Sequence, residues 1–260
     1  MRRIAVLLIG DTHRAEFLDA RRVLADLAEL TEAADPAAAA AILQSAPLEP
    51  EVIVLAQAYP GQFSQAQVDQ LRRLAPLARM VALLGTWCEG ESRSGRPWPG
   101  VVRVYWHQWP SRSALELARI AHGQSSAWSL PPTATEEERL LSTAEAPLPA
   151  GEGLIAIHAR QTPMADWLAA ACRQAGYSTL RLCGPNWPQF AGARAGIFDA
   201  TDLGPSEAAD LSRLVAQLHP APVLVLLDFP RPRVLPHGAA AILSKPLLLE
   251  DLLWHLETVC

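Results

Sequence analysis

Lysine is the scarcest charged residue in this chain: its 22 basic residues comprise 21 Arg and a single Lys, Lys245. The Arg and Ala excess fits a GC-rich coding bias. Against that background Lys245 marks a position where Arg would not serve, because an ammonium is a compact point charge and a guanidinium a planar fork. A basic surface is missing too. Residues 1–122 hold 13 Arg against 13 acids, residues 123–150 one Arg against four Glu, and residues 151–260 seven Arg and Lys245 against ten acids, for a net charge of −5. Neither half suits nucleic acid. No apolar run reaches the roughly 18–20 residues that cross a bilayer, so no membrane partner is expected. The start, Met1-Arg2-Arg3-Ile4, runs into an apolar segment ending at Asp11, unlike a secretory leader. A cytoplasmic location is expected. The four cysteines, Cys88, Cys172, Cys183 and Cys260, form no C-x-x-C pair and share no metal spacing with His, so buried free thiols and no metal are expected. Dinucleotide, Walker and G-x-S-x-G motifs are absent, which leaves no cofactor and no familiar enzyme class.

What is present is a folded composition. Half of the 260 residues are apolar and 19% charged, which excludes extended disorder and suggests about two domains. The continuous apolar run Ile4–Ile9 predicts a strand buried on both faces. A helix is predicted over 12–29, with Phe17, Leu18, Val23, Leu24 and Leu27 at helical spacing, and an Ala-rich helix over 36–45. Val52–Leu55, Met80–Leu84 and Val101–Tyr105 read as strands. Ser64 and Gln67 form a capping box opening a helix over 65–75. Thr86–Gly100 reads as a long loop, and a helix over 113–121 closes the series. Residues 123–150, rich in Pro and Glu, are expected to be a linker with a short helix over 134–144.

The second series repeats the order. Leu154–Ile157 predicts a strand, Thr162-Pro163 opens a helix that stops before Gly176, and Thr179–Leu182 and Gly196–Phe198 predict further strands. A helix over 206–218, strands at Val223–Leu227 and Ala239–Leu243, and a helix over 247–259 complete it. This alternation predicts two tandem α/β units, residues 1–122 and 151–260, each a doubly wound five-stranded parallel sheet in the flavodoxin-like order 2-1-3-4-5.

The sharpest motif is Ala239-Ala240-Ala241-Ile242-Leu243-Ser244-Lys245-Pro246, followed by Glu250-Asp251-Leu252-Leu253. It resembles the end of the response-regulator receiver (CheY-like) family, where a strand ends in a Lys-Pro pair and the last helix follows. The resemblance implies a phosphoacceptor aspartate at the tip of the third strand, here Asp199, with Lys245 pairing its phosphate or carboxylate and Pro246 beside it. It also implies paired metal-binding acids after the first strand. Those positions hold His158 and Ala159, so the Mg²⁺ ligands are missing, and Asp228 is the one nearby acid on a neighbouring strand tip. By the same register the first half has Asp11 as its one acid, Ala56 in place of the acceptor and Trp109-Pro110 in place of Lys-Pro. The two halves therefore resemble a tandem of degenerate receivers.

Two readings of Lys245 stay open: pairing with a phosphorylated Asp199, or an inherited ion pair that steadies the strand tips. His158 reads as a pH-sensitive cation substitute or as a hydrogen-bonded structural residue. Trp87 and Trp98 in the long loop, and Trp254 outside the last helix's core stripe, are expected to form a partner surface. The functional expectation is a non-enzymatic signalling or scaffolding protein with protein partners, a kinase, a scaffold or a second copy among them. Two alternatives are a working response regulator phosphorylated on Asp199 and a flavodoxin-like small-ligand binder walled by loops 10–14, 56–62 and 86–99.

Overall fold

The apolar runs do become the centres of two sheets. The computed structural model describes residues 2–45, 49–90, 97–144, 151–184, 187–228, 230–232 and 238–259. In the first unit, β1 (Ile4–Ile9), β2 (Ala28–Ala33), β3 (Val52–Gln57), β4 (Arg79–Leu84) and β5 (Val102–Tyr105) form an all-parallel sheet ordered β2-β1-β3-β4-β5. In the second, β6 (Leu154–His158), β7 (Ser178–Leu182), β8 (Ala193–Asp199), β9 (Val223–Leu227) and β10 (Ala239–Ser244) are ordered β10-β9-β8-β6-β7. Read from its other edge, this is the same 2-1-3-4-5 arrangement. The chain is thus two tandem flavodoxin-like α/β units. Every residue of β3 and β9 is buried, as strands covered by helices on both faces must be.

Helices α1 (Leu18–Leu27), α2 (Pro36–Ser45), α3 (Gln65–Leu74), α4 (Trp109–Ala121) and α5 (Glu136–Ala144) belong to the first unit. The capping box at Ser64 and Gln67 forms as read from the sequence. Helices α6 (Thr162–Gln174), α7 (Pro205–Leu218) and α8 (Leu249–Val259) belong to the second. No described helix is long and apolar enough to cross a membrane.

Two expectations are corrected. The helix expected over 12–29 is a short 3₁₀ turn at Ala15–Phe17, then α1, then strand β2. β2 reads Ala-Glu-Leu-Thr-Glu-Ala and has little strand propensity. It forms because its backbone completes the edge of the sheet, pairing from Ile4↔Ala28 to Ile9↔Ala33, and pairing overrides local preference.

The second correction concerns the expected linker at 123–150. Its described part folds onto the first unit. Trp128 is buried, with its ring 5.7 Å from that of Trp109. The Ser126 hydroxyl donates to Glu116 Oε2 at 2.6 Å, and the Arg139 guanidinium donates to the carbonyls of Ala127 and Pro131. A Trp in a Pro- and Ser-rich stretch buries its apolar area wherever a core edge is open, and here α4 offers one. The two units divide at Ala146/Pro147. Residues 145–150, and 91–96 of the expected long loop, lie outside the described residues.

Candidate functional site

At the carboxyl edge of the second sheet three strand tips bring three charged groups together. β8 ends at Asp199, Asp228 follows β9, and Lys245 follows β10, where its N–H donates to the Leu227 carbonyl at 2.8 Å. The Lys245 ammonium donates to Asp199 Oδ1 at 2.6 Å and to the Ala200 carbonyl at 2.9 Å, and it lies 2.9 Å from Asp228 Oδ1. An ammonium has three donors, and three oxygens from two strand tips receive them. A planar guanidinium could not meet that set from one point, which gives the lone lysine its structural reason. The Lys245–Pro246 peptide is cis. Burial works against the Lys245 charge, but the carboxylates of Asp199 and Asp228 outweigh it and raise its pKa above the usual lysine value. Asp199 is buried, whereas the Asp228 side chain is 38% exposed, so the outer half of the cluster meets water.

His158 ends β6 beside this cluster and is itself buried. Its Nδ1 lies 3.2 Å from the Leu182 carbonyl; since a carbonyl can only accept, that nitrogen carries the proton. The ring lies 5.0 Å from Phe198 and 4.9 Å from Trp187. Ala159, next in line, offers no donor or acceptor on its side chain. A hard cation needs several oxygen ligands with good geometry. The two carboxylates present already share one ammonium, and no group of three His, Cys, Asp or Glu among the described residues could hold a metal. The residues present do not fit Mg²⁺.

Glu207, overlooked in the sequence, organises the turn that follows Asp199. It is buried in the first turn of α7, and its carboxylate accepts N–H groups from Thr201, Asp202 and Leu203, the last at 2.9 Å. Leu203 stands at φ +59°, the left-handed region that favours glycine, and this hydrogen bond helps hold it there. Burial alone would raise the Glu207 pKa. The Thr201 N–H, the Arg160 guanidinium and the other two N–H groups reverse the direction and lower it. An acid two residues after a helix-opening Pro205 was the available signal.

The first unit's corresponding edge is filled with other groups. Gly10, at φ +123°, passes so close to β3 that a Cβ there would meet the Ala56 carbonyl oxygen at 2.7 Å. Asp11 is exposed, and its carboxylate accepts the His13 N–H. Glu16 is buried instead, accepting from Arg14 and from the Thr86 hydroxyl. Trp109 begins α4 and lies fully inside the core. Asp11, Ala56 and Trp109 therefore form no polar site, and a buried glutamate that the sequence did not single out sits at this edge.

The three expected surface tryptophans divide. Trp87 is 75% exposed. Trp98 packs on the core instead, its ring stacked 6.2 Å from Phe63, because the apolar face of Phe63 lies within its reach. Trp254 is half-buried, with its ring edge-on to His255 at 4.8 Å. Among the cysteines, Cys88 and Cys172 are buried, and burial pushes the Cys172 thiol up to about 12. Cys183 is exposed, contrary to expectation, because it lies just past the end of edge strand β7. Cys260 lies outside the described residues.

No family model and no curated protein matches the chain. Among solved structures, it is similar to the RcsB response regulator of Salmonella typhimurium, with 15% identity, a TM-score of 0.34, and coverage of 54% of this chain and 68% of that one. It is also similar to the E. coli RcsC C-terminus containing a linker region and phosphoreceiver domain, with 12% identity, a TM-score of 0.33, and coverage of 98% and 92%. A D-isomer specific 2-hydroxyacid dehydrogenase from Lactobacillus delbrueckii follows at 9% identity, a TM-score of 0.24, and coverage of 98% and 94%. The fold is carried by the strand order, not by these scores.

Proposed function

We propose that this chain is a non-enzymatic signalling or scaffolding protein that acts through protein–protein contacts of two receiver-like units, its phosphotransfer chemistry lost. The supporting observation is the engagement of Asp199: one ammonium is shared between Asp199 and Asp228, and His158 and Ala159 stand where metal-holding acids would be needed. Phosphoryl transfer proceeds when cations neutralise the transferring oxygens. One ammonium already neutralised by two carboxylates supplies little of that. The first unit lacks an acceptor altogether at Ala56. Trp87 and Tyr59, at 75% and 53% exposure, follow β4 and β3 at one sheet edge, and such aromatics anchor protein contacts. A second copy of the chain is one candidate partner.

The test is intact-mass analysis of the full chain after incubation with acetyl phosphate and Mg²⁺. No added phosphoryl group is expected on the second unit. A gain of about 80 Da, one phosphoryl group, that disappears in Asp199→Asn would replace this reading with that of a working response regulator.

A further inference from the structure

A cleft in the second unit lies beside the Lys245 cluster without including it. It opens at the carboxyl ends of β6, β7 and β8 and encloses about 480 Å³. β6 and β8 are neighbours whose onward connections leave in opposite directions. In parallel α/β sheets that switch point is where ligands sit, because the diverging connections leave a crevice. Between β7 and β8 the described residues form no helix, so side chains wall the crevice.

Three of those side chains are arginines from three separate elements: Arg160 after β6, Arg181 on β7 and Arg213 on α7. The lining acids are Glu207 and Asp210. Glu207 is occupied by the turn N–H groups and Arg160, and Asp210 lies 2.9 Å from Arg213. Arg181 pairs with Asp166, which is not part of the lining. The lining thus carries three guanidiniums against two carboxylates. Among the described residues, one buried donor of this lining has no partner, the Arg181 Nε–H, and neither has the indole N–H of Trp187, which packs on the lining residues His158 and Arg213. Trp187 lies 3.8 Å beneath the Arg213 guanidinium and packs against the His158 ring. Buried donors left without acceptors are costly and rare. His158, Ala159 and Phe198 supply the less polar wall.

We infer that this cleft binds a small phosphomonoester. A phosphoryl group presents three oxygens and suits several guanidiniums at once, where a carboxylate is satisfied by one fork. The volume exceeds that of a bare phosphate and leaves room for an organic body against the His158 and Phe198 rings. The inference goes beyond the contact-mediated role proposed above and does not depend on the chemistry of Asp199.

Cys183 is exposed and lines the same cleft, so its alkylation reports occupancy. The full chain is treated with iodoacetamide at constant ionic strength, and Cys183 is followed by peptide mass spectrometry. Phenyl phosphate, inorganic phosphate and phenol are the three probes. Phenyl phosphate is expected to slow Cys183 alkylation saturably in the millimolar range or below, inorganic phosphate more weakly, and phenol not at all. Arg160→Gln, at a side chain 66% exposed, and Arg181→Gln should each raise the saturation midpoint about tenfold. Absence of saturable protection overturns the proposal, as does equal protection by phenol or an unchanged midpoint in both variants. Inorganic phosphate binding as tightly as phenyl phosphate overturns the requirement for an ester.

Discussion

Replacing Lys245 by Met keeps the aliphatic stem and removes the ammonium. Asp199 is then left as a buried carboxylate, 5% exposed, and the Ala200 carbonyl loses its donor. Breaking a buried ion pair from one side costs about 3–5 kcal/mol, because the remaining charge is uncompensated. Water reaches the cluster through Asp228, whose side chain is 38% exposed, which places the expected loss near the lower bound, about 3 kcal/mol. The exposed half of the cluster is a different case: Asp228→Asn should cost about 0–1 kcal/mol. Peptide-resolved amide hydrogen exchange separates the two units. A loss of about 3 kcal/mol corresponds to a roughly hundredfold drop in protection of the slowest amides. That drop should fall in β8, β9 and β10 of Lys245→Met and spare β1 and β3 of the first unit. In the double variant Lys245→Met/Asp199→Leu, which removes both charges, most of the protection should return. If Lys245→Met loses no more protection than Asp228→Asn, the cluster does not hold the strand tips together and the reasoning fails.

Three further outcomes are expected. Glu207→Ala, which strips the acceptor from the 201–203 turn, should destabilise the second unit by about 2 kcal/mol, while Glu207→Gln, which keeps an acceptor oxygen, should cost clearly less in urea midpoints; equal losses would mean the turn does not need the carboxyl oxygens. Trp128→Ala should cost the first unit about 3–5 kcal/mol, read as a lowered first-unit melting transition, and no shift would return 123–144 to the status of a linker. Burial pushes His107 and His255 down to about 4. Between that value and the ordinary 6.5 the unfolded chain takes up protons that the folded chain refuses, so stability falls as pH drops through this window, by up to about 3 kcal/mol per histidine. Comparing urea midpoints at pH 7.5 and 5, His255→Leu should flatten the second unit's loss, and an unchanged slope would remove His255 as its source.

Most strands were legible because a strand buried on both faces must be apolar throughout. Ile4–Ile9, Val52–Leu55 and Val223–Leu227 could hardly be placed elsewhere. Strand β2 was not legible, since its Ala, Glu and Thr gain their strand conformation from β1 alone. Trp128 was missed for a related reason: a Pro- and Ser-rich neighbourhood describes local stiffness and says nothing of an open core edge nearby. In the candidate site, Asp199 and Lys245 were legible through spacing and motif. Glu16 and Glu207 were not, because ordinary acidic residues become buried anchors only when a turn folds its N–H groups or hydroxyls around them. The arginine cleft was equally hidden, its three arginines lying 21 and 32 positions apart along the chain.

The sequence by itself determined the two α/β units, the parallel sense of their sheets and the strand tip that carries the chain's one lysine. Periodicity and a short motif suffice for these because they are properties of contiguous residues. Tertiary structure alone decided that the lysine is divided between two carboxylates, that the apparent linker belongs to the first core, and that guanidiniums converge on an opening at the switch point. Each of these depends on groups far apart in the chain meeting at a few ångströms, where desolvation and hydrogen-bond geometry set the outcome.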